Sequence, residues 1–101
     1  MEHHLDTHHY EVFTPELLSL DVDGHVGTAC EFGANMRGVY NKWTINGEWT
    51  GAMTDCTRYL NGYGTGARYD GNFNGSPYIG SCEGLQSGSV AQLSQDQRDG
   101  M

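Results

Sequence analysis

Lys42-Trp43-Thr44-Ile45-Asn46-Gly47-Glu48-Trp49-Thr50 is the stretch on which the reading of this chain turns. Asn-Gly is the strongest short hairpin signal, because a type I′ loop needs positive φ at both central residues. Flanked by Trp, Ile and Thr, which suit a pleated surface, Asn46-Gly47 predicts a two-residue hairpin within residues 36–54. Val39, Trp43, Ile45 and Ala52 then share one face; Tyr40, Lys42, Trp49 and Met53 share the other. Both faces carry large apolar groups, so the hairpin is either enclosed by the domain or offers an aromatic face to something else.

Working outward, Asn or Asp precedes Gly at five more places: 23–24, 61–62, 70–71, 74–75 and 99–100. The pairs at 70–71 and 74–75 are too close for both to be hairpin loops. Val26, Thr28, Cys30 and Phe32 alternate with smaller or polar residues and read as a strand with one buried face. Thr14-Pro15-Glu16 is a helix start, with Thr as N-cap, Pro at the first helical position and an acid in the first turn; it predicts one or two turns over 15–20. The expected fold is mainly β: a small antiparallel sandwich or partly closed roll with one short N-terminal helix. Residues 1–9 read as a flexible His-rich terminus, 10–88 as the β-rich domain, and 89–101 as a polar tail or short helix.

Composition narrows the function classes. The chain has 101 residues, a single domain's length. Its net charge of −8 repels phosphate backbones and disfavours direct nucleic-acid binding. No window approaches the ~20 apolar residues of a membrane span. The first residues carry neither a basic n-region nor an apolar h-region, so a cytoplasmic or virion-associated protein without a signal peptide is expected. Cys30, Cys56 and Cys82 make an odd count, which in that setting argues for reduced thiols behaving as small buried hydrophobes; a pair among them would require an oxidising compartment.

Tyr69-Asp-Gly-Asn-Phe-Asn-Gly75 resembles the Tyr-x-Gly-x-Trp/Phe-x-x-Gly unit of MORN repeats, with an echo at Gly47-Glu-Trp49. In that family such hairpins stack into an elongated sheet. The likeness covers about a quarter of the chain, the first copy lacks the Tyr and Gly75 comes one residue early, so no function is carried over.

Candidate chemistry is sparse. His4 and His8 would share a face of a helix and could hold a divalent transition metal with Asp6 or Glu11; the competing reading is a solvated terminus and no cofactor. His25 and Cys30 contain the residue types of a thiol nucleophile pair, but a turn histidine with local hydrogen bonds explains His25 as well. Asp21-Val-Asp-Gly24 fails as a calcium loop, since Gly arrives too early and Phe32 stands where the bidentate Glu should be. Gly62, Gly64 and Gly66 lack the Lys-Ser/Thr pair of a phosphate loop.

Tyr and Trp among Gly, Asn and Ser are typical of contact surfaces. The leading expectation is therefore a non-enzymatic, acidic protein-binding or assembly module of the phage accessory, inhibitor or immunity type. It would bind a protein partner, or itself as a homo-oligomer, through Tyr40, Lys42, Trp49, Met53, Tyr59 and Tyr63. The rivals are a small-ligand-binding β-roll and a metal protein or enzyme using the N-terminal histidines.

Overall fold

A computed structural model describes residues 4–39 and 42–100. The hairpin does not form. Strand β2 (Trp43–Trp49) runs straight through Asn46-Gly47 and pairs with β1 (His4–His9), in parallel. Parallel neighbours require a crossover of a dozen or more residues. It is supplied by α1 (Pro15–Leu18) and α2 (Val22–Val39), which makes the N-terminal half a β-α-β unit rather than an antiparallel sandwich or roll. A short helix, α3 (Gln95–Gly100), closes the element order.

The strand expected over residues 25–32 is the middle of α2. A helical stripe runs through the same residues: Val22, His25, Val26, Ala29, Phe32 and Met36 follow i, i+3, i+4, i+7 spacing. It prevails although Gly24, Gly27, Gly33 and Gly38 each cost about 0.8–1.0 kcal/mol relative to Ala in a helix interior. Asp21 caps the helix: its carboxylate accepts from the Gly24 N–H at 2.8 Å. Among the described residues, no helix is long and apolar enough to cross a membrane. The expected helix at 15–20 is present as α1, with the Thr14 hydroxyl accepting from the Leu17 N–H and Pro15 in the first turn.

Residues 50–88 contain no strand. They form a series of turns tied by a Cys56–Cys82 disulfide and by Asp55. Cys56 and Cys82 are buried with Ala67, and Tyr69 packs on them; the expectation of reduced thiols is corrected for this pair. Cys30 is free and exposed on α2. The Asp55 side chain, wholly buried, accepts from the Arg68 N–H at 2.8 Å, the Tyr69 N–H at 3.0 Å and the Asn61 amide at 2.9 Å. The Arg68 guanidinium lies 3.9 Å from the Phe73 ring centre and 5.6 Å from that of Phe13, which joins the turns to the segment after β1. Gly62, Gly71 and Gly75 have φ of 111°, 77° and 81°. Turn chemistry was thus read correctly there, but it bends a strandless loop. The segment 69–75 accordingly contains no MORN-like hairpin.

Gly47 has a different task. Thr7 pairs with Asn46 and His8 with Glu48, so Gly47 is the extra residue of a β-bulge. Paired residues share a face, and a one-residue slip moves a side chain to the other one. The bulge thus moves Glu48 to the face of His8. The Gly47 N–H donates to Asp6 Oδ1 at 3.1 Å, and a Cβ at position 47 would collide with that carboxylate. Gly47→Ala is expected to push Asp6 aside and lose this bond, lowering stability by about 0.5–1.5 kcal/mol. Urea unfolding measures this, and an unchanged midpoint would show that the bulge tolerates a side chain.

Candidate functional site

At the C-terminal end of the strand pair, three side chains converge. Glu48 is the penultimate residue of β2, and His8 lies opposite it on β1. His8 Nδ1 is 3.4 Å from Glu48 Oε2. Two residues on, Tyr10 donates its hydroxyl proton to Glu48 Oε1. Each carboxylate oxygen therefore has its own polar partner. A carboxylate oxygen accepts hydrogen bonds, and here the phenol and the imidazole approach separate oxygens of Glu48. The C-terminal edge of a parallel sheet is where α/β proteins place their ligands.

The opposite side of the strand end is built differently. Glu11, 5% exposed, accepts from His9 Nε2 at 2.7 Å and from His25 Nδ1 at 2.6 Å. The His9 ring stacks on Phe32 of α2, with centroids 4.2 Å apart. A cleft of about 410 Å³ opens on this side, lined by Val22, Val26, Phe32, Trp49 and Met53 among others. Glu48 is not part of its lining. Asp55 lies in the turns that follow. Burial alone would raise its carboxyl, but bonds from the Arg68 N–H, the Asn61 amide and the Tyr69 N–H outweigh this and hold it below the usual carboxylate range.

The expected site residues are dispersed. His4 and His8 lie on a strand, not a helix; His4 packs edge-on against Trp43 and His8 faces Glu48. Among the described residues, no three His, Cys, Asp or Glu side chains are grouped as a metal site would need. Trp49 and Met53 line the cleft, Lys42 is exposed at a shallower depression, and Tyr59 and Tyr63 stack on each other at 5.7 Å, both exposed. Neither tyrosine lines the cleft. Tyr40 lies outside the described residues. His25 is bonded to Glu11 instead of activating a thiol. Glu48 and Tyr10 were missed because the hairpin reading made Glu48 a polar strand residue beside a turn. The signal available was a lone acid between Gly47 and Trp49.

Curated proteins resemble nearly all of this chain. A protein of Neosartorya fischeri named probable glucan 1,3-beta-glucosidase A is 50% identical over 94 residues, which are 93% of this chain and 22% of that protein. Its namesake in Aspergillus fumigatus is 49% identical over the same shares. Glucan 1,3-beta-glucosidase 2 of Wickerhamomyces anomalus is 54% identical over 87 residues, 81% of this chain and 20% of that protein. The chain thus spans about a fifth of the length of these relatives. No family model matches it. The likeness overturns the expectation of a binding module of phage accessory, inhibitor or immunity type, since the chain is similar to a part of longer proteins named as glucosidases; the all-β expectation is overturned by the structure itself.

Proposed function

We propose that this chain is part of a glycoside hydrolase acting on 1,3-β-linked glucan, and that Glu48 is its nucleophile. The observation that carries the proposal is the placement of Glu48 at the C-terminal end of a parallel strand, with Tyr10 and His8 on its two oxygens. Retaining glycosidases need two carboxyl groups about 5–5.5 Å apart. One attacks the anomeric carbon as the other protonates the departing glycosidic oxygen. Water, deprotonated by that second carboxylate, then releases the sugar from the glycosyl-enzyme ester. Tyr10 and His8 orient the Glu48 carboxylate at the strand end. The second carboxyl group comes from another part of the longer protein.

Three features support this reading. Trp43, Ile45 and Trp49 are 71%, 52% and 61% exposed, whereas parallel sheets are covered on both faces; further strands and helices of a longer protein would cover them. A net charge of −8 sets no barrier to a neutral polysaccharide, as it would to a polyanion. The Cys56–Cys82 bond is of a kind that persists in oxidising compartments, which supports a location outside the cytoplasm. The test is incubation of the full-length protein with a linear 1,3-β-glucan. Release of glucose is expected, and its absence under conditions where the protein is folded would sink the substrate assignment.

A further inference from the structure

Alternation along the end of β1 divides four consecutive residues between two tasks. His8 and Tyr10 reach Glu48; His9 and Glu11 turn to α2. Glu11 is gripped from both sides, at 2.7 Å by His9 and at 2.6 Å by His25. The three side chains are largely withdrawn from solvent, at 7% exposure for Glu11, 11% for His25 and 20% for His9. His9 is further clamped by its stack on Phe32. A carboxylate buried this deeply is costly unless its oxygens are paired, and here each oxygen has one imidazole. The arrangement ties the end of β1 to α2 at two points, His25 and Phe32, seven residues apart on the helix. The second nitrogen of His25 is buried without a partner, so its one bond in the described structure is the bond to Glu11.

We propose that Glu11 is a positioning residue: held by His9 and His25, it fixes the end of β1 against α2 and thereby sets His8 and Tyr10 on the Glu48 carboxylate. This rests on the reading of Glu48 as nucleophile. The Glu11 side chain bonds to His9 and His25 and not to Glu48, so it acts through the backbone it anchors. Misplacement of a catalytic group by about 1 Å can cost roughly 10²-fold in rate, and a loosened strand end would shift both His8 and Tyr10 relative to Glu48.

The experiment compares Glu11→Ala, Glu11→Gln and Glu48→Gln in the full-length protein, with turnover of a β-glucoside expressed per folded molecule. Glu11→Ala is expected to lower kcat by roughly 10- to 100-fold with KM changed by less than about 2-fold. Glu11→Gln, which keeps a carbonyl acceptor for one histidine, should recover most of that loss. If Glu11→Ala fails to fold, His25→Gln, which weakens only the α2 side of the grip, takes its place with the same expected split. Wild-type kcat per folded molecule in these variants, with only the melting temperature lowered, would overturn the proposal and leave Glu11 a purely structural group. Glu48→Gln separates the two readings. If it retains full turnover, the nucleophile assignment fails and this proposal with it; if it is inactive while Glu11→Ala turns over normally, this proposal alone fails.

Discussion

Replacement of Glu48 by Ala in the full-length protein is expected to reduce kcat by about 10⁴-fold or more, the scale seen when a covalent nucleophile is removed. Substrate binding should change far less, because the side chain is one acceptor among many contacts to a sugar. The argument is geometric. Tyr10 donates to one oxygen of Glu48 and His8 Nδ1 lies 3.4 Å from the other, and the Gly47 bulge places Glu48 on their face of the sheet. Removing the carboxylate deletes the attacking atom and leaves room for a small anion. Azide should then restore turnover of an activated glucosyl substrate and give the α-glucosyl azide, the product of a single displacement. Recovery of a β-glucosyl azide would instead assign Glu48 to the acid–base role. Activity near wild type would remove Glu48 from the chemistry.

The second large effect belongs to Asp55. Its side chain is fully buried and accepts from two backbone N–H groups, the Asn61 amide and, at 3.5 Å, Arg68 Nη1. Asp55→Ala strands all of these donors. Breaking a buried pair by deleting one partner costs about 3–5 kcal/mol, and the loss should fall on residues 55–82, where Asn61, Arg68 and Tyr69 all depend on it. Because hydrogen bonding holds the Asp55 carboxyl below its ordinary value, its contribution follows a definite pH course. It is fully present above the unfolded-state value of about 3.9. It is lost as pH falls from there through the lower folded-state value. The gap in melting temperature between wild type and Asp55→Asn should thus be wide at pH 7 and narrow steadily below pH ~4. A gap of equal width at pH 7 and pH 2 would contradict the account of Asp55.

How far the fold could be read depended on whether local chemistry or long-range pairing decided each element. Thr14 and Pro15 specify α1 through contacts within four residues, and that element was legible. Gly62, Gly71 and Gly75 were rightly taken as turn residues, because positive φ is a local demand. The same dipeptide signal misled at Gly24 and Gly47, which lie in α2 and β2. There the deciding partner is distant: Val22 and Val26 pack close to Gly100, and Asp6 holds the Gly47 N–H. Strand β1 was invisible because His-Leu-Asp-Thr-His-His has neither an apolar run nor clean alternation; it is a strand because β2 lies beside it. The site was illegible for the same reason. Glu48 is 38 residues from Tyr10, and only the parallel register brings them together. His4 and His8 read as possible metal ligands, yet His8 faces Glu48; His9 and His25 share Glu11.

The most direct measurement is covalent trapping. Full-length protein treated with a 2-deoxy-2-fluoro-β-glucosyl donor, whose fluorine slows hydrolysis of the glycosyl-enzyme ester, is digested and sequenced by mass spectrometry. The account predicts one added fluorodeoxyglucosyl group, carried by Glu48. A label on any other carboxylate, or none on a protein that is hydrolysing glucan, would contradict it.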